Sequence, residues 1–142
     1  MNRIALFFSL LFAIFAGCER NQAEVNFGPL YERSLPVISG AALQQIVNKQ
    51  ATDDGPVLVE FGVDFNCERC QAMKPDMLEL SQRFKGRAKV VRADFGKNAA
   101  LVAKYGGTIC PTYVLFSGGE PVQVRSHPTS LSLLEADLES QL

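Results

Sequence analysis

The chain has 142 residues, 47% of them hydrophobic and 20% charged, with a formal net charge of −1. That is length enough for one domain with a core of its own. With no basic run, no low-complexity tract and no internal repeat, the sequence offers no footing for nucleic acid or an acidic polymer, and no repeat architecture.

The first residues do not belong to the fold. Arg3 supplies a positive start, and Ile4 to Ala16 is almost wholly apolar. Roughly a dozen residues fall short of the ~20 that span a membrane, so the pattern reads as a secretory signal peptide over residues 1–17. It ends in Phe15-Ala16-Gly17-Cys18, which resembles the lipobox of bacterial lipoproteins, with Phe15 in place of the usual Leu. That resemblance implies cleavage before Cys18 and lipid on its sulfur; an uncleaved anchor and a plain signal peptide are the alternatives. Glu19 is not the Asp that marks inner-membrane retention, which implies an outer-membrane address. Residues 18–34 read as a tether, broken at Gly28-Pro29, with docking through Phe27, Leu30 and Tyr31 as a second use.

From Leu35 on, the pattern is that of a folded domain. A short strand is expected at Pro36-Val37-Ile38. Ser39 caps a helix carrying Ala42, Leu43, Ile46 and Val47 on one face, and Asp53-Asp54-Gly55-Pro56 makes a turn. Val57-Leu58-Val59-Glu60-Phe61 reads as a strand buried on both faces. The loop Gly62 to Asn66 leads to Cys67-Glu68-Arg69-Cys70 and a helix with Met73, Met77, Leu80 and Phe84 in one stripe, Pro75 inside it and Gly86 closing it. Lys89 to Ala93 forms a third strand, Asn98 to Tyr105 a short helix ended by Gly106-Gly107, and Thr112 to Phe116 a fourth strand. Gly118-Gly119 turns the chain into Val122 to Arg125, and a last helix from Thr129-Ser130 carries Leu131, Leu134, Leu138 and Leu142. The order βαβαβαββα predicts parallel crossovers followed by an antiparallel hairpin, hence a three-layer α/β/α domain over residues 35–142.

Four cysteines are present; with Cys18 set aside, Cys67, Cys70 and Cys110 remain. An odd number in an exported protein is no structural disulfide framework and points to one redox pair plus a third thiol. At a helix start, unpaired N–H groups and the dipole favour a thiolate, so Cys67 is the candidate nucleophile. Cys70, one turn on, can close a disulfide with it and resolve a mixed disulfide. A CxxC is also half a zinc site, and a four-ligand site here would need Cys67, Cys70, Cys110 and His127 together.

Val59-Glu60-Phe61, the CxxC, Pro75 eight residues past Cys67, and Ile109-Cys110-Pro111-Thr112 before a strand resemble the thioredoxin family in order and spacing. The resemblance covers Leu35 to the C-terminus, with Phe116-Ser117-Gly118-Gly119-Glu120 similar to the family's hairpin. It implies a thioredoxin-like fold with a mixed central sheet, a cis Pro111 against the redox pair, and substrate pairing with backbone at Ile109 and Cys110. It also implies that Glu60 is a buried acid assisting proton transfer at Cys70, with Arg92 near the place of the family's buried lysine; an acid facing water is the plainer reading of Glu60. Three departures stand out. No Trp precedes Cys67, where the chain has Phe65-Asn66. Glu-Arg replaces Gly-Pro between the cysteines. Glu60 to Cys67 is one residue longer than usual, which predicts a bulged loop and a displaced Glu60.

Cys110 has a bland reading, a small buried hydrophobe. It has two functional ones: an internal disulfide with Cys67, or a three-thiolate site for Cu(I). His127, before the last helix, is either solvated or a ligand or proton carrier, and Met73 and Met77 read as core. Arg83, Lys85, Arg87 and Lys89 read as a solvated helix end. The expected function is an envelope-located, periplasm-facing thiol–disulfide oxidoreductase acting as a reductase on protein disulfides or dithiols. It would need no cofactor, and a membrane redox partner would reset Cys67/Cys70. The alternative is a Cu(I) or Zn carrier built on Cys67, Cys70 and Cys110.

Overall fold

A computed structural model describes residues 35–50 and 55–142, apart from the side chains of Val47, Lys49 and Gln50. The signal segment, Cys18 and tether expected over residues 1–34, and the turn residues Asp53 and Asp54, lie outside the described residues.

The elements are β1 (Val37–Ile38), α1 (Gly40–Gln50), β2 (Val57–Gly62), α2 (Glu68–Arg83), β3 (Lys89–Asp94), α3 (Ala99–Lys104), β4 (Thr112–Ser117), β5 (Glu120–Ser126) and α4 (Leu131–Glu139). Five strands make one sheet in the order β1-β3-β2-β4-β5. β2 sits at its centre, parallel to β3 and antiparallel to β4, which explains why all six of its residues are buried. Alternation along β2 sends its side chains to two cores. Leu58 joins Met73, Met77 and Leu80 from α2, its C-cap Phe84, and Leu134 and Leu138 from α4. Val57, Val59 and Phe61 join Leu43 and Val102 from α1 and α3. The result is the three-layer, mixed-sheet domain that the element order predicts.

Local chemistry sets the boundaries. Ser39 Oγ accepts from the Ala42 N–H at 3.1 Å and opens α1, while Ser130 Oγ accepts from the Leu133 N–H at 3.4 Å and opens α4. Gly118 and Gly119 have φ of 59° and 84°, the two positive values a two-residue hairpin turn demands. Two expectations need correction. β5 is longer at both ends than Val122 to Arg125, because pairing with β4 runs from Ser117–Glu120 to Thr112–Ser126. Leu142 is not part of the core: α4 stops at Glu139, and Leu142 is 54% exposed. The apolar spacing outlasts the helix there, where Ser140 Oγ donates to the orphan Asp137 carbonyl.

Candidate active site

Cys67 is the N-cap of α2: its Sγ accepts the Cys70 N–H at 3.1 Å, so a backbone donor and the helix dipole both act on the sulfur. Cys67 and Cys70 are joined as a disulfide. The two sulfurs differ in access. Cys67 is 9% exposed and lines an open cleft of about 570 Å³ with Val63, Asn66, Glu68, Arg69 and Cys110, whereas Cys70 is fully buried. An incoming sulfur can reach only the first.

Glu60 is 1% exposed. Its side chain leaves β2 on the face shared with Leu58, the face that α2 covers, and its cross-strand neighbours are Arg92 on β3 and Tyr113 on β4. Burial raises its carboxyl to about 7, against the opposing pull of Arg92 and Lys74. Arg92 is close, Nε to Glu60 Oε2 at 3.8 Å, but its Nη1 is committed to Asp64 Oδ1 at 2.5 Å, and Lys74 reaches the same Asp64 oxygen at 3.4 Å. The hydrogen bond from Arg92 holds Asp64 below the usual carboxylate range. Arg92's charge is thus shared, and burial wins at Glu60. The expected displacement of Glu60 does not occur: β2 keeps regular pairing through Phe61 to β4 and through Gly62 to β3. The extra residue is taken up between Val63 and Cys67, where Asn66 adopts φ 54°. Phe65, in the place of the missing Trp, is 84% exposed.

Pro111 is buried, and the Cys110–Pro111 bond is cis. The Pro111 carbonyl accepts from the His127 N–H at 3.3 Å, which ties the residue after β5 to the floor of the site. Cys110 is half-buried, with its Sγ 4.0 Å from Cys67 Sγ and 3.3 Å from Cys70 Sγ; burial pushes its thiol pKa up. Ile109 is 38% exposed at the rim, and its carbonyl is taken by the Thr112 hydroxyl at 2.6 Å. The structure therefore brings Cys67, Cys70, Cys110 and Pro111 together, sets Glu60 beneath the helix, and leaves Ile109 at the edge. His127 is not among the clustered metal-binding side chains. Two residues were missed in the sequence. Asp64 engages Arg92, which its place in a polar loop did not signal. Tyr113 is buried opposite Glu60 with no hydrogen-bond partner for its hydroxyl among the described residues; its position on a strand following Pro111 was the available signal.

The comparisons with known proteins agree with this geometry. The family model described as "Thioredoxin" matches residues 35–140. The thioredoxin of Synechocystis sp. is 30% identical over 109 residues, covering 77% of this chain and 98% of that one. "Thioredoxin 1" of Nostoc sp. is 32% identical over 89 residues, 63% of this chain and 82% of its own. Among solved structures, the N21Q mutant thioredoxin of Halobacterium salinarum NRC-1 superposes with a TM-score of 0.64 at 29% identity, covering 78% of this chain and 91% of that one.

Proposed function

Because the chain belongs to the thioredoxin family and is a thiol–disulfide oxidoreductase acting through Cys67 and Cys70, we propose that it runs as a reductase of protein disulfides, lipid-anchored through Cys18 in the bacterial envelope and facing the periplasm. Support for the address comes from Arg3, the apolar run Ile4 to Ala16 and the lipobox-like Phe15 to Cys18. Among the described residues no helix is long and apolar enough to cross a membrane, so a membrane tie would fall to the segment before Leu35.

The observation that carries the chemistry is the unequal access of the two sulfurs over a buried acid. In the reduced protein, the Cys67 thiolate attacks a substrate disulfide at the cleft. One substrate sulfur leaves as a thiolate, and a mixed disulfide forms. Cys70, sealed from solvent, gives its proton to the Glu60 carboxylate, which at a pKa near 7 is a suitable acceptor at neutral pH. The Cys70 thiolate then attacks Cys67 Sγ and expels the second substrate sulfur. Two electrons have passed to the substrate, whose two sulfurs leave as thiolates and are protonated from solvent; the Cys70 proton rests on Glu60, and Cys67–Cys70 is left as a disulfide. A membrane redox partner that donates a dithiol returns it to the reduced state. Cys110 lines the cleft where an extended substrate segment would lie, with the exposed Ile109 before it and the buried Pro111 after it in the chain.

The test is capture. Cys70→Ser removes the resolving sulfur and leaves Cys67 accessible, so mixed disulfides should accumulate in the envelope fraction and vanish in the Cys67→Ser, Cys70→Ser double variant. An abundant, folded Cys70→Ser protein that traps no partner would overturn the reading.

A further inference from the structure

We propose that the reduced protein is also a redox-gated Cu(I) site, with Cys67, Cys70 and Cys110 as its three ligands. The established exchange reaction needs two of these sulfurs. The third is held beside them on a separate element, in the residue that immediately precedes Pro111 and β4.

Three observations carry the assignment. First, the three Sγ atoms lie within 4.8 Å of one another, and among the described residues no His or carboxylate joins the cluster. A metal bound in the plane of three thiolates at ~2.3 Å requires sulfurs ~4 Å apart. Cys67 and Cys110 are 4.0 Å apart and Cys70 and Cys110 are 3.3 Å apart. Breaking the Cys67–Cys70 bond lets those two sulfurs move to non-bonded separation. Second, Cys110 is misplaced for the competing role of an internal disulfide partner. A Cys67–Cys110 disulfide requires attack on Cys67 along the disulfide axis, with Cys70 as the far, leaving sulfur, yet Cys70 is the nearer of the two to Cys110. The separations of 4.0 and 3.3 Å instead place Cys110 at the side of the pair. Third, the surroundings suit a low-coordinate soft ion. Cys67 opens on a cleft through which copper can be handed over, while Cys70 is fully buried. Three thiolates and Cu(I) carry net negative charge; the start of α2, the Cys70 N–H on Cys67 Sγ and the nearby Arg69 and Arg92 guanidinium groups act against that charge, while the Glu60 carboxyl opposes them.

Soft thiolates favour Cu(I), and three ligands without a fourth suit it better than Zn(II), whose sites are tetrahedral. Binding transfers no electrons: copper remains Cu(I), and each ligand that was a thiol releases its proton to solvent. Oxidation of Cys67 and Cys70 removes two of the three ligands, so a substrate or partner disulfide would discharge the ion. Metal loading and thiol exchange exclude one another on the same sulfurs.

The experiment uses the full chain with Cys18→Ser in detergent micelles, so that the three site thiols are the only ones. Reduced, anaerobic protein is titrated with Cu(I) against bicinchoninate. The expected result is one Cu(I) per chain, three sulfurs at about 2.3 Å by X-ray absorption, and no competition from the same protein after oxidation. Cys110→Ser should weaken binding by about 100-fold or more, since losing a ligand exceeds the effect of losing a supporting residue; circular dichroism checks that it folds. Equal affinity in Cys110→Ser, two sulfurs in the absorption spectrum, equal retention by the oxidised form, preference for Zn(II), or more than one copper per chain with dimerisation would each overturn the site. The sulfur count by X-ray absorption and the oxidised-against-reduced comparison need no substitution in the cluster, so together they decide even if Cys110→Ser fails to fold. None of these readouts depends on reductase activity.

Discussion

At the scale of single residues, Glu60 shows how a group beside a cation can still hold its proton to neutrality. Arg92 lies 3.8 Å away, yet its firm bond is to Asp64, and the sheet and α2 exclude water from Glu60. The carboxyl titrates from its ordinary 4.5 in the unfolded chain and at about 7 in the folded one. Between those values the folded protein keeps a proton that the unfolded chain has released. Raising the pH through this window therefore removes stability; the loss is absent below the unfolded value and complete above the folded one. Its size is on the order of 3 kcal/mol, since each tenfold difference in proton affinity is worth about 1.36 kcal/mol. Glu60→Gln cannot ionise and should lack this slope. Urea melts at pH 5 and pH 8 should show the parent losing most of that stability while the variant stays nearly flat. A parent as stable at pH 8 as at pH 5 would mean that Glu60 is ionised throughout. The same substitution should slow release of a trapped partner near neutral pH without slowing its capture, because capture belongs to Cys67.

At the scale of elements, two glycine turns differ in what a side chain would meet. Gly55, entering β2, has φ 75°, and a Cβ there would lie 2.2 Å from the Arg87 carbonyl oxygen. Gly86, closing α2, has φ 83° with nothing within 4 Å of its Cβ position. Gly86→Ala carries only the left-handed backbone cost, about 1–2 kcal/mol, whereas Gly55→Ala adds a clash with fixed backbone of about 1–3 kcal/mol more. Denaturant midpoints should fall in that order, and equal losses would show that the β2 entry yields freely. These elements were legible because each carried its own signal: a period of 3.6 with Ser39 or Ser130 at the start, a period broken by Gly118-Gly119, and a continuous apolar run for the central strand. Contacts set by the third dimension were not legible. The extra residue before Cys67 threatened Glu60 on paper, but a loop open to solvent absorbs it at Asn66 while β2, held on both edges, stays in register. The coupling of Asp64 to Arg92 joins residues 28 apart in sequence, and no local pattern announces it. The proximity of Cys110 to the pair depended on Pro111, and only the spacing shared with a known family suggested it.

At the scale of the whole molecule, folding and the redox pair form one thermodynamic cycle, and its sign bears on the direction of electron flow. The disulfide closes a loop of sequence separation 3. By loop-closure entropy, such a short link destabilises the unfolded chain by about 2 kcal/mol, which favours the folded oxidised protein. Reduction offers a compensation: the Cys67 thiolate gains the helix dipole and the Cys70 N–H, worth about 0.3–2 kcal/mol at a partly buried site. A protein in which the second effect wins is an oxidant, because its folded form prefers to be reduced. The reductase reading requires the first effect to win. Oxidised protein should then be more stable than reduced protein by about 1 kcal/mol at pH 7, and by the cycle the folded pair should be more reducing than the same pair in the unfolded chain by about 20 mV. Paired urea melts of the two redox forms measure the stability difference, and equilibration with a glutathione buffer measures the potential independently. A reduced form that is the more stable of the two would reverse the direction proposed for Cys67 and Cys70, while leaving the exchange chemistry and the fold untouched.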